Sequence, residues 1–275
     1  MLNKIKLGIS RSPKRFLFSL FFGLTAFWAV SEPFVTLFAQ DINKYLFLIP
    51  FLFISIIIAV VKIYPKTSVS IPLKNTNTII SLKFGDLFNE NGVIAIPVNE
   101  YFDSSLGKLV SENSLHGYLI KNILGGERSI FDNAVNKSLA GVSFIETSRE
   151  QGKCKKYHIG TTACLEFGNK KYLLFALSKT NDKYEAYTTP SLLLGSLFGL
   201  LNAARTECNG QSLNIPLIGT GLSRSGIPPK QLIELILISI LQATKQGEVT
   251  KTINIVLHDS FFDELDLVAI KQNWT

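Results

Sequence analysis

The chain has 275 residues, 47% of them hydrophobic, with 28 basic and 21 acidic side chains and a formal net charge of +7. That charge is local: residues 1–66 carry eight Lys or Arg against two acids, which leaves 20 against 19 for the remainder. A nearly neutral remainder argues against a nucleic-acid groove, and no nucleic-acid partner is expected. Cys154, Cys164 and Cys208 are odd in number and lack Cys-x-x-Cys spacing, and His116, His158 and His258 are scattered. The pattern fits reduced structural thiols, with no metal site and no cofactor.

Residues 1–15 form a basic arm containing Lys4, Lys6, Arg11, Lys14 and Arg15. Two apolar runs follow, 16–38 and 45–63. The second is uncharged from Tyr45 to Val61. Each approaches the ~20 residues that a hydrocarbon core of about 30 Å requires, so two transmembrane helices are expected within 16–64. A signal peptide and a buried core helix are the alternatives. The first leaves the second run unexplained and should end at small residues, where Phe27, Trp28 and Val30 stand. The basic arm, against a connection carrying only Asp41 and Lys44, places both termini in the cytoplasm.

Residues 65–77, rich in Pro, Thr, Ser and Asn, read as a polar linker to a domain spanning 78–275. Strands are expected at Thr78–Phe84, Val93–Val98, Tyr157–Cys164, Tyr172–Leu177, Leu213–Leu217 and Ile253–Leu257. Several are continuous apolar runs suited to a sheet covered on both faces. Helices are expected at Leu106–Leu124, Ile130–Ala140, Pro190–Arg205, Pro229–Thr244 and from Phe261. The alternation predicts an α/β fold with three α/β/α layers.

Open α/β sheets bind ligands beyond the C-terminal ends of their strands. Two loops stand there. The first is Pro97–Asp103. Its Tyr101 and Phe102 either pack in the core or cover a ligand ring. Glu100 and Asp103 either contact a ligand or, as the favoured reading, are solvated loop carboxylates. The second is Pro216–Gly226, where Gly219 and Gly221 let backbone N–H groups converge on an anion. Thr220 and Ser223 add hydroxyls, Leu222 lies between them, and Arg224 adds a cation beside a helix N-terminus. A plain strand-to-helix turn is the alternative. Lys179 and Asn181 end the fourth expected strand and are weaker candidates. Glu127 and Arg128 read as solvated, and His158 as a packed strand residue. No nucleophile constellation is evident, and no catalytic residue is assigned.

The order of these pieces resembles a macro domain, the fold that binds ADP-ribose and related nucleotides. Thr78–Leu87, TIISLKFGDL, is similar to the family's opening strand and Gly-Asp step. The resemblance implies that Asp86, followed by Leu87, meets the adenine amino group. Val93–Asn99, VIAIPVN, is similar to the next strand and implies that Asn99 reaches the distal ribose. Ser212–Gly226 resembles the second phosphate loop. After Asn99 the family has a second asparagine and a glycine run, where this chain has Glu100, Tyr101, Phe102 and Asp103. That departure favours binding over hydrolysis.

Two membrane helices before such a domain resemble the membrane-bound macro effectors of Thoeris-type (type II) antiphage systems. The resemblance implies residence in the bacterial inner membrane and an ADP-ribose derivative as ligand. It also implies a TIR-domain partner that makes this signal from NAD, and homo-oligomers that disturb the bilayer. A membrane-tethered ADP-ribosyl hydrolase or ADP-ribose 1″-phosphate phosphatase, using Asn99 and Asp103, is the second reading. An anchored module with a vestigial pocket is the third.

Overall fold

Helix starts at the second residue. A computed structural model describes residues 2–38, 45–220 and 225–274, with α1 at Leu2–Arg11, α2 at Pro13–Phe38 and α3 at Tyr45–Ile63. These belong to one unit, Met1–Thr67. The basic arm is therefore largely helical, and it is anchored at Gly8: a Cβ there would lie 2.3 Å from the Ile63 carbonyl oxygen. Likewise Gly23 sits against Ser55, where a Cβ would come within 2.9 Å of Oγ. Ser55 and Ala59 are wholly buried and Ser19 nearly so. Such small residues let helix backbones approach closely.

Among the described residues, one helical segment is long and apolar enough to cross a membrane, Pro13–Pro33, and only 11% of it is buried. Ile49–Ile63 is a shorter apolar helix. The described part of α3 thus falls short of the second full span that the sequence led us to expect.

The second unit, Ser68–Thr275, is built on a mixed sheet. Its strands are β1 (Ser68–Pro72), β2 (Ile79–Phe84), β3 (Val93–Asn99), β4 (Phe144–Glu146), β5 (Lys155–Tyr157), β6 (Thr162–Phe167), β7 (Lys170–Thr180), β8 (Ala186–Tyr187), β9 (Leu213–Pro216) and β10 (Thr252–Leu257). The main sheet runs β1-β2-β10-β9-β3-β7-β6, with β8 on β7, while β4 and β5 form a separate hairpin. Pairing from β2 through β7 is parallel, and β1 and β6 are antiparallel edges. Strand β1 corrects the expected linker. Val69 and Ile71 alternate with exposed residues and are buried against the sheet, so the polar composition of 65–77 concealed a period of two.

The same alternation divides the core. Val93 and Ala95 of β3, with Leu173, Phe175 and Leu177 of β7, face α6 (Pro190–Glu207), α7 (Pro229–Lys245) and α8 (Leu267–Gln272). Ile94, Ile96, Val98, Tyr172 and Leu174 face the other layer, where Leu119, Ile120, Phe131 and Val135 pack. Phe131 and Val135 belong to α5 (Arg128–Ser138). The expected three layers are present.

Two elements differ from expectation. The helix expected over Leu106–Leu124 is α4 (Leu115–Tyr118) followed by a π turn, Leu119–Ile123. Gly107 at φ +103° diverts the chain before it. Tyr157–Cys164 is two strands broken by a turn at Gly160, which meets Gly199 of α6 backbone to backbone; a Cβ on Gly199 would lie 2.1 Å from the Gly160 carbonyl oxygen. His158 lies in that turn and is exposed rather than packed.

Candidate functional site

The strand order places the C-terminal ends of β2, β10, β9, β3 and β7 side by side. Four inter-strand spacings separate the first from the last, about 19 Å. A cleft of about 940 Å³ runs along these ends. Asp86 and Leu87 line it beyond β2, and His258 and Asp259 beyond β10. Leu217, Gly219 and Thr220 follow β9, Asn99 ends β3, and Ser178 and Tyr184 come from β7 and its loop. The segment Gly107–His116 forms the facing wall.

Asp86 is held by its own turn. As N-cap of the 3₁₀ turn Leu87–Asn89, its Oδ1 accepts the Phe88 N–H at 2.9 Å, leaving the second carboxylate oxygen available beside buried Leu87. Gly219 adopts φ +91°, and its carbonyl accepts the Ser225 hydroxyl at 2.6 Å. Thr220 Oγ1 donates to the Leu217 carbonyl. Gly221, Leu222, Ser223 and Arg224 lie outside the described residues.

Asn99 borders the cleft but is also the cap of the following turn. Its Oδ1 accepts the N–H groups of Tyr101 and Asp103 at 3.1 and 3.2 Å, and its Nδ2 donates to Asp103 Oδ2 at 3.1 Å. The structure does not bring Tyr101, Phe102 or Asp103 into the cleft wall. Phe102, at φ +52°, is wholly buried, with its ring edge-on to Tyr157 at 5.5 Å. Asp103 is 1% exposed and accepts Arg149 Nη1 at 3.1 Å and the Lys153 N–H at 2.8 Å. The Arg149 guanidinium covers the Tyr101 ring at 3.7 Å.

Glu100 is equally buried; it accepts the Thr180 N–H and pairs with Lys156 at 3.6 Å. The expectation of solvated loop carboxylates is thereby corrected: partners distant in sequence desolvate both acids and neutralise them. Glu127 stands at the start of α5 without a side-chain capping bond, and Arg128 donates to the Ser105 hydroxyl. Lys179 pairs with Tyr187 in the β7–β8 ladder and is not among the residues lining the cleft. Exposed Asn181 holds the β7–β8 turn, accepting the N–H groups of Lys183 and Glu185.

Sequence reasoning missed His116, Tyr184, His258 and the wall from Gly107. His258 follows a strand and was reachable by the same strand-end rule. Ser114, which caps α4 by accepting the Gly117 N–H at 2.9 Å, was a readable helix start hidden inside the longer helix expected there. His116 is buried against the Phe131 ring at 4.9 Å, and its Nε2 has no hydrogen-bond partner. Burial, and then nearby Lys153, lower its pKa to about 3, so the ring is neutral. Burial pushes the Cys164 thiol up to about 12 and Cys208 to about 11, consistent with inert structural thiols.

Residues 80–258 match the family model described as Thoeris protein ThsA, Macro domain. The chain belongs to that family. The Thoeris protein ThsA of Bacillus amyloliquefaciens (strain Y2) is 21% identical over 212 residues, covering 74% of this chain and 70% of that protein. The Oceanobacillus iheyensis macrodomain with ADP superposes with a TM-score of 0.51 at 15% identity, covering 75% of this chain and 93% of its own. The mixed sheet and its flanking layers are thus those of a macro domain, and the cleft lies at its strand ends.

Proposed function

We propose that the protein is a membrane-anchored sensor–effector whose macro domain binds an ADP-ribose-derived signal nucleotide. The observation that carries this is the continuous cleft across five strand ends, with Asp86 at one end and Asn99, Gly219 and Thr220 between. Asp86 and Leu87 take the base. Gly219–Arg224 takes the phosphates, and Asn99 offers its remaining amide hydrogen to the second sugar. Tyr101, Phe102, Asp103, Lys179 and Asn181 hold the surrounding loops. Binding is favoured over hydrolysis because both acids of the β3 loop are engaged in buried ion pairs, leaving neither to activate water.

In this reading the signal is made from NAD by a TIR-domain enzyme during phage infection, with a histidine conjugate of ADP-ribose as the first ligand to test. Helices α2 and α3 cross the bacterial inner membrane as a two-pass anchor with cytoplasmic termini. Ligand binding shifts the protein toward an oligomer that disrupts the bilayer, which requires the oligomer to bind ligand more tightly than the resting form.

The test is calorimetry of the full chain in detergent against ADP-ribose, NAD and the histidine conjugate, with particle mass measured in parallel. Selective heat and a ligand-dependent rise in mass are expected. Equal, weak heats for all three ligands would overturn the sensor reading, and turnover of ligand would favour the hydrolase.

A further inference from the structure

The end of the cleft opposite Asp86 is built differently from the rest. Tyr184 lines it from the loop between β7 and β8, at φ +63°, a left-handed conformation that strains a bulky residue. Glycine is the usual occupant of such a position. The turn is fixed around it: Tyr184 N–H donates to the Asn181 carbonyl, and Asn181 in turn holds the neighbouring N–H groups.

Two cations bear on the Tyr184 ring. Lys108 Nζ stands 4.5 Å from its centroid and the Arg149 guanidinium 5.4 Å. Lys108 is the single Lys or Arg among the described lining residues. Arg149 does not line the cleft. It reaches the Tyr184 ring while stacking on Tyr101 and pairing with Asp103. Asp103 is bonded to Asn99, so Arg149 joins the cleft floor at Asn99 to its far rim at Tyr184. Gly152 makes room for this: a Cβ there would lie 2.6 Å from Asp103 Oδ1 and 3.1 Å from Arg149 Nη1.

We propose that Tyr184 is the specificity-determining residue for the group joined to the ligand's second phosphate, and that Arg149 is its positioning residue. The inference rests on the nucleotide-binding reading above. A ring held rigidly at that end offers an apolar face and a hydroxyl to a sugar, and offers nothing to a nucleotide that stops at the phosphates. A strained tyrosine where glycine would relax the backbone marks a residue retained for its side chain.

ADP and ADP-ribose share the adenosine diphosphate part and differ in the distal sugar and in the charge on the second phosphate, so the change in their affinity ratio from wild type to variant isolates this end of the cleft. Each is titrated calorimetrically into the full chain in detergent, as wild type, Tyr184→Gly, Tyr184→Phe and Arg149→Met. Wild type is expected to prefer ADP-ribose. Tyr184→Gly should weaken ADP-ribose about ten-fold while ADP stays within about two-fold, and its thermal midpoint should not fall, because the backbone strain is relieved. Tyr184→Phe should keep most of the preference, and Arg149→Met should lose it in part. Equal weakening of both ligands by Tyr184→Gly, or of neither, overturns the proposal, as does a wild type that does not distinguish them. A wild type silent to both nucleotides overturns the proposal, and one silent to the histidine conjugate as well overturns the nucleotide-binding reading itself. Should Arg149→Met fail to fold, the two Tyr184 variants decide.

Discussion

The loops after β3 and β9 both leave parallel strands at the same end of the sheet, yet they do opposite work. The β9 loop, with Gly219 and Thr220, turns into the cleft and carries no buried charge among its described residues. The β3 loop turns back, burying Glu100 and Asp103 against Lys156, Arg149 and the Lys153 backbone. The difference follows from composition. Glycine lets a backbone approach a ligand, whereas a carboxylate that finds a cation inside the fold becomes part of the scaffold. One loop should therefore control affinity and the other stability.

Asp103→Ala gives the largest effect. It strips the partner from a buried arginine, and breaking such a pair costs about 3–5 kcal/mol. Urea denaturation should show the loss, with ADP-ribose affinity of the folded fraction changed far less. A variant as stable as wild type would remove the distinction between the loops.

His116 borders both regions and comes next. Folded, it stays neutral down to about pH 3, while the unfolded chain takes up a proton below 6.5. The unfolded state binds more protons in that window, so the contribution is fully present above pH 6.5 and is lost as pH falls toward 3. At pH 5 the deficit is roughly 2 kcal/mol. His116→Phe should flatten this slope, read as the difference in urea midpoints between pH 7 and pH 5.

Gly219→Val sharpens the comparison from the other side. Its Cβ would lie 3.0 Å from a Leu232 methyl and 3.1 Å from a Leu193 methyl, at a φ of +91°. About 1–3 kcal/mol of stability should be lost, with ADP-ribose affinity falling at least ten-fold. Unchanged affinity by calorimetry would take the β9 loop out of the binding site.

Much of this was legible in the sequence. The apolar runs ending at Val98 and Leu257 marked strands β3 and β10, and the rule that ligands lie beyond strand ends led to Asn99, Gly219 and Thr220, while Asp86 came from the family resemblance alone. The α2–α3 contact was half legible. Ser19, Gly23 and Ser55 are small residues inside otherwise apolar runs, and the structure buries all three within one chain, with Gly23 facing Ser55. Small residues announce a close approach without naming the partner.

What the sequence determined by itself is what depends on neighbours along the chain: alternation that makes strands, apolar length that makes the N-terminal helices, and glycines where φ must be positive. What only the tertiary structure decided is the fate of charges and rings whose partners are remote. Asp103 meets Arg149 across 46 residues and Lys153 across 50, and no local pattern records those distances. A carboxylate's role is set by what desolvates and pairs it. For that reason the β3 loop, read as solvated, is a buried support, and the far end of the cleft came into view only when Tyr184 and Arg149 were brought together.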